Sequence, residues 1–118
     1  MLITLKNLAL TKRELGKLEE AEKLRERAVK GWEESKGGGS NMLIALENLA
    51  LMKRELSKLE EVEQLGERAV KGWEESEGGS SNMLIALENL ALTKQELGKL
   101  EEAEQLEERA FRAFYNSL

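Results

Sequence analysis

The chain lacks cysteine, histidine and proline, and it has only two tryptophans, two phenylalanines and one tyrosine in 118 residues. Without cysteine and histidine it has no thiolate or imidazole metal ligand, no disulfide, no cysteine nucleophile and none of the usual proton shuttles at neutral pH. These absences exclude most classes of enzyme. We therefore predict that the protein is not an enzyme and uses neither a metal nor a cofactor.

Long apolar segments are also absent, since the longest uncharged apolar runs fall far below the roughly 18 residues that a membrane-spanning helix requires. Residues 1–15 lack the basic start, continuous apolar stretch and cleavage site of a secretory signal, and the segment recurs internally as residues 42–56. The sequence thus predicts a soluble, cytoplasmic protein without a membrane partner.

Positive charge is scarce outside the first third of the chain. Residues 1–41 carry nine Lys and Arg against seven Glu, residues 42–82 five against nine, and residues 83–118 four against seven, for a net charge of −5. Nucleic-acid binding normally requires a basic stripe, so this balance disfavours a nucleic-acid partner. Opposite charge at the two ends would instead favour head-to-tail contact between molecules.

What the chain does have is an internal repeat. Met1, Met42 and Met83 open nearly identical segments that begin 41 residues apart. A period of this size indicates one supersecondary unit that is repeated and stacked. We predict a single array over residues 1–118, with repeats at 1–41, 42–82 and 83–118.

Each repeat contains two stretches of helical periodicity. In the first repeat, apolar side chains recur at three- and four-residue steps over residues 2–15, which we name helix A, and over residues 18–34, which we name helix B. Gly16 lies between them, where a left-handed residue would close helix A. The two helices would form an antiparallel hairpin, so the predicted fold class is all-α.

Local composition modifies this hairpin pattern. Residues 36–41 and 77–82 are rich in Gly, Ser and Asn and predict loops with a capping Ser or Asn, or alternatively hinges that let hairpins exchange between molecules. Ser57 stands where the other repeats have the turn glycine, which we expect to destabilise the middle repeat by about 1 kcal/mol. Gly66, inside helix B, predicts a further loss of about 1 kcal/mol.

Residues 7–29, NLALTKRELGKLEEAEKLRERAV, resemble a tetratricopeptide repeat. The matching positions are Leu8, Ala9, Gly16, Leu18, Ala21, Leu24 and Ala28, with their counterparts in the other repeats apart from Ser57 and Val62. The period exceeds the family's usual one of about 34 residues and is similar to the longer variety found in kinesin light chains and nephrocystin-like proteins. The resemblance covers nearly the whole chain and implies three αα-hairpin repeats stacked as a right-handed solenoid.

The chain departs from the family pattern at three places. It lacks the proline that commonly follows helix B. The usual aromatic residue of helix A is replaced by Lys12, Lys53 and Lys94. The usual bulky residue of helix B is replaced by Arg25, Gly66 and Glu107. We expect altered packing between helices, with part of the missing bulk supplied by Trp32, Trp73 and Phe114.

The acidic group Glu19, Glu20 and Glu22 recurs in every repeat. Paired carboxylates are compatible with acid–base catalysis or with a hard metal. Because no nucleophile accompanies them and no burial is evident, we interpret this group as a solvated helix face.

A second apolar stripe on helix A is the candidate binding site. In proteins that the chain resembles, the inner face of helix A binds an extended peptide, often through an asparagine that hydrogen-bonds the peptide backbone. The resemblance therefore implies peptide-binding residues at Ile3, Asn7, Leu10, Arg13, Ile44, Asn48, Leu51, Arg54, Ile85, Asn89, Leu92 and Gln95. Carboxamides would pair with peptide amides, Ile and Leu with apolar side chains, and Arg with an acidic group. The alternative is that this stripe only packs helix A against helix A.

The third repeat ends in AFRAFYNSL, residues 110–118, which is more apolar than the corresponding part of the other repeats. Terminal repeats normally have a polar outer face, and an exposed apolar patch normally marks an interface. We predict self-association as a homodimer through Phe111, Phe114, Tyr115 and Leu118. Two functional hypotheses follow: a module that binds a peptide segment of a protein partner, and a structural, self-associating solenoid without a dedicated ligand.

Overall fold

A computed structural model of the protein describes residues 2–34, 39–75 and 80–116, and the regular secondary structure in these ranges is α-helical. The helices are α1 (Leu2–Glu14), α2 (Leu18–Glu34), α3 (Gly39–Glu55), α4 (Leu59–Glu75), α5 (Ser80–Glu96) and α6 (Leu100–Asn116). Helices α1, α3 and α5 are helix A of successive repeats, and α2, α4 and α6 are helix B. The predicted all-α fold of helical repeats is confirmed.

A left-handed residue lies two positions after the last residue of helix A in every repeat. The φ angles are 77° at Gly16, 60° at Ser57 and 79° at Gly98. After Gly16, the amide of Lys17 donates to the carbonyl of Lys12 at 2.8 Å, which is the closing bond of a Schellman motif. The predicted turn conformation is confirmed, including the positive φ at Ser57, and the cost in stability at Ser57 stays a prediction.

The start of helix A differs from the prediction. Helices α3 and α5 begin at Gly39 and Ser80, so residues 39–41 and 80–82 are helical, and the prediction of loops as far as Asn41 and Asn82 was wrong. First-turn amides have no intrahelical partner in any case, and Ser and Asn cost only a few tenths of a kcal/mol there. Residues 35–38 and 76–79 lie outside the described residues.

The chain forms two compact units, Met1–Lys58 and Leu59–Leu118, which we name unit 1 and unit 2. In unit 1, α2 packs against both α1 and α3; in unit 2, α5 packs against both α4 and α6. The boundary between the units falls inside the middle repeat. The division into a single array of three repeats stays a prediction.

Small residues allow the helices of each unit to approach closely. In unit 1, Ala9 of α1, Ala21 of α2 and Met52 of α3 form a buried cluster, with Leu18 and Leu24 packed against it. The corresponding core of unit 2 includes Leu87, Ala91 and Ala103, all nearly inaccessible to solvent. These cores leave the opposite face of each helix A available.

Gly66 has a packing role that its helix propensity does not reveal. A β-carbon at this position would come within 3.0 Å of Leu90 Cδ1, so glycine lets α5 lie close against α4. The prediction that Gly66 only destabilises the middle repeat missed this contact, because the partner lies 24 residues further along the chain.

Candidate functional site

Unit 1 presents the predicted stripe on two helices. Leu10 of α1 and Ile44 and Leu51 of α3 are 36%, 45% and 60% exposed, although each is a large apolar side chain. Asn7, three residues before Leu10, is exposed, and Asn48, between Ile44 and Leu51 in α3, is half-buried. The side chain of Ile3 lies outside the described part. In unit 1 the stripe is therefore an accessible apolar surface, and its asparagines occupy equivalent positions in α1 and α3.

Unit 2 presents the same stripe on α5. Ile85 and Leu92 are 52% and 49% exposed, and Asn89 is exposed between them. Gln95 is exposed and donates a hydrogen bond to Glu107 of α6. Because these positions recur 41 residues after those of α3, α3 and α5 each offer two open apolar side chains about two turns apart.

The stripe's arginines are already engaged. Arg13 of α1 donates from Nε to Glu55 Oε1 of α3 at 2.8 Å, and this hydrogen bond and the charge of Glu55 raise the pKa of Arg13. Arg54 is half-buried and also makes an interaction of its own. An acidic ligand group would have to compete with Glu55 for Arg13.

Unit 1 contains a buried ion cluster that the sequence analysis did not foresee. Glu22 of α2 accepts from Lys53 Nζ of α3 at 2.7 Å and from Lys58 Nζ at 2.9 Å. Glu22 and Lys53 are both buried. We call Glu22, Lys53 and Lys58 the unit 1 ion cluster. The interpretation of Glu22 as part of a solvated face was wrong, because α3 covers it.

The same arrangement recurs in unit 2, where Glu63, Lys94 and Lys99 form what we call the unit 2 ion cluster. Lys94 Nζ of α5 lies 2.6 Å from Glu63 Oε2 of α4, and Lys99 Nζ lies 2.8 Å from the same oxygen. Lys94 also donates to Glu67 and Glu102, at 3.0 and 2.9 Å. A buried lysine is thus surrounded by carboxylates.

The clusters favour the charged forms of Glu22, Glu63 and Lys94. Burial alone would raise the pKa of Glu22, but hydrogen bonds from Lys53 and Lys58 outweigh it and lower the pKa below 4.5. Hydrogen bonds from Lys94 and Lys99 likewise lower the pKa of Glu63. Burial lowers the pKa of Lys94, yet its three carboxylate partners raise it well above its ordinary value. At neutral pH Glu22, Glu63 and Lys94 therefore take part in ion pairs between successive helices and are not poised for acid–base catalysis.

Helix α6 carries the predicted self-association residues. Phe111, Phe114 and Tyr115 are each more than half exposed, and the rings of Phe111 and Tyr115 stack with centroids 6.0 Å apart. Leu118 lies outside the described residues. By contrast, Trp73, the counterpart of Phe114 in α4, is buried, as predicted for a helix B aromatic.

A sequence model of the tetratricopeptide repeat family matches residues 1–75 and again residues 41–116. The chain belongs to the tetratricopeptide repeat family. The resemblance stated from residues 7–29 is thereby confirmed, and the 41-residue period places the chain with the longer variety of these repeats.

Among solved structures, the chain is similar to BtubC (BKLC) from P. vanneervenii, with a TM-score of 0.87 and 21% sequence identity. The likeness covers 98% of this chain but 47% of that one, so the chain spans about half the length of BtubC. At this identity the likeness shows the fold alone. No curated protein matches the chain.

The ion clusters explain how this tetratricopeptide repeat chain departs from its family at helix A. Lys53 and Lys94 stand where an aromatic residue would pack, and each reaches the carboxylate of the preceding helix B. This pairing could have been found in the sequence, since Lys53 and Lys94 each follow a glutamate, Glu22 or Glu63, by 31 residues. The altered packing predicted from these lysines is thus an ionic contact.

In the described ranges, none of the helices has both the length and the apolar character that spanning a membrane requires. Within the same ranges, no three or more carboxylates are grouped so that they could hold a metal ion. The absence of catalysis and the cytoplasmic location stay predictions.

Proposed function

We propose that the protein is an interaction module that binds an extended peptide segment of a protein partner on the helix A stripe. The observation that carries this proposal is the exposure of Ile44, Leu51, Ile85 and Leu92, between 45% and 60%, at the same two positions of α3 and α5. Large apolar side chains left open in a repeated register are typical of a docking surface. Membership of a family that generally mediates protein–protein interaction supports it.

In this proposal the asparagines fix the backbone of the peptide and the apolar pairs select its side chains. Asn48 is flanked along α3 by Ile44 and Leu51, so a carboxamide lies between two apolar contacts. A carboxamide can donate to a peptide carbonyl and accept from a peptide amide at once, which suits an extended segment. The preferred ligand is mainly apolar, because Glu55 already neutralises Arg13 in unit 1.

The test is a peptide-library selection against wild type, followed by affinity measurement with two stripe variants. We expect Asn48→Ala and Leu51→Glu each to weaken selected peptides by more than about tenfold. Gln64→Ala and Leu100→Glu are matched controls, since Gln64 and Leu100 are exposed on helices B, away from the stripe. Selected peptides that bind all four variants equally well would refute the stripe as the site.

A further inference from the structure

The face of α6 that corresponds to a buried face of α4 is exposed. In unit 2, α5 packs against α4, and there Trp73 is 4% and Val70 is 5% exposed. Their counterparts 41 residues later, Phe114 and Phe111, are 52% and 66% exposed. Helix α6 therefore presents the surface that a helix A covers elsewhere in the same unit.

Helix α1 presents the opposite half of that contact. Leu90 of α5, which lies against Gly66 of α4, is 4% exposed, whereas its counterpart Leu8 in α1 is 43% exposed. Thr93 is buried and its counterpart Thr11 is exposed. In α5 these positions pack against the preceding helix B. In α1 the side chains at the same positions are exposed to solvent.

The charges of the two open faces are complementary in the same register. Glu104 of α6 is the counterpart of Glu63, which is held by Lys94 and Lys99, and it is exposed. The counterparts of those lysines are Lys12, which makes a partly exposed pair with Glu20 at 3.3 Å, and Lys17, which is exposed. One carboxylate and two ammonium groups are therefore available to rebuild an ion cluster between two molecules.

We propose that α6 of one molecule binds α1 of a second copy of this chain, in the arrangement by which α5 covers α4. Leu8 and Thr11 of the second copy then lie on the α6 face that Phe111 and Phe114 mark, and Glu104 binds Lys12 and Lys17. This contact joins two different surfaces, so it is a head-to-tail contact and differs from the self-complementary contact of a symmetric α6–α6 dimer. It uses faces other than the peptide stripe and stands independently of the peptide-binding proposal.

The first experiment uses one variant for each face, Leu8→Glu and Phe114→Glu, in analytical ultracentrifugation of the 118-residue chain across a range of concentrations. We expect wild type to form species that grow beyond the dimer with concentration, and each variant alone to be a monomer of 13.3 kDa. Mixed together, the variants retain one intact α6 face and one intact α1 face, so we expect a 1:1 dimer that grows no further. Leu92→Glu, on the stripe, is the control that keeps wild-type association.

The second experiment tests the register through charge. We expect Glu104→Lys alone and Lys12→Glu/Lys17→Glu alone to weaken association by more than about tenfold, and the mixture of the two variants to restore it, because each contact then pairs opposite charges. Circular dichroism melts of the separate variants serve as the control that each variant is folded.

Three outcomes would overturn the proposal. One is a wild-type monomer at every concentration. Another is a Leu8→Glu variant that still dimerises while Phe114→Glu does not, which indicates a symmetric α6–α6 contact. The third is a mixture of charge variants that associates no better than either variant alone.

Discussion

Helices α4 and α6 both pack against α5 in unit 2, yet several equivalent positions of the two helices have opposite environments. Glu63 and Trp73 of α4 are buried, whereas Glu104 and Phe114 of α6 are exposed. The helices have nearly the same sequence pattern and the same length of 17 residues. What differs is which side of the helix A neighbour they occupy. The environment of a side chain in this chain is thus determined by the adjoining helix more than by its own.

The largest expected difference between the two helices concerns their aromatic residues. Trp73→Ala removes a buried indole and should lower the free energy of unfolding by about 4 kcal/mol. Phe114→Ala removes an exposed ring and should lower it by less than about 1 kcal/mol. Urea denaturation at low protein concentration measures both. Equal losses would show that α6 is as well covered as α4.

The second difference concerns the lysines of helix A. Lys94→Met leaves Glu63 buried with one cation fewer, and we expect a loss of about 3 kcal/mol in urea denaturation. Lys12→Met removes only a partly exposed ion pair with Glu20 and should cost no more than about 0.5 kcal/mol.

A double variant sharpens this test. Combining Lys94→Met with Glu63→Leu removes the uncompensated carboxylate, so most of the lost stability should return. A double variant as unstable as the sum of its single variants would mean that the ions stabilise the unit beyond their desolvation cost.

The sequence alone predicts the helical hairpin correctly, but it does not predict which side chains of one helix contact the next helix. The ends of α2 and the positive φ of Gly16 follow from local periodicity and turn chemistry, which act within a few residues. The burial of Glu22 depends on α3, whose Lys53 lies 31 residues away, and glutamate alone predicts exposure. Ala9 is buried because it lies on the face of α1 that meets α2 and α3, whereas Leu10 lies outside that face and is exposed. The spacing of residues in the sequence defines that face only approximately.

A smaller effect is expected at the turn after helix A, where Ser57 and Gly98 are different residues at equivalent positions of their repeats. Ser57 has a φ of 60° in the position where Gly98 has 79°. Ser57→Gly should therefore stabilise the protein by about 1 kcal/mol, and Gly98→Ser should destabilise it by a similar amount. Thermal unfolding of both variants tests this, and a destabilising Ser57→Gly would show that the serine hydroxyl has a role of its own.

The smallest expected effect is a decrease in the stability of the folded protein at acidic pH. Since the folded state lowers the pKa of Glu63 below 4.5, its contribution is complete above that pH and is lost as the pH falls through the lowered value. We expect urea midpoints to decline below about pH 4.5. The decline should be shallower for Glu63→Gln, while the control Glu104→Gln should follow wild type. Parallel curves for wild type and Glu63→Gln would contradict the assignment.

The ion clusters have a consequence for how such a gene can change length. Each 41-residue copy brings the lysine that engages the helix before it and the glutamate that engages the helix after it. Unequal crossing-over that adds or deletes one copy in phase would therefore create a junction with both charges already in place. At such a junction the buried ion pair would form without a compensating substitution.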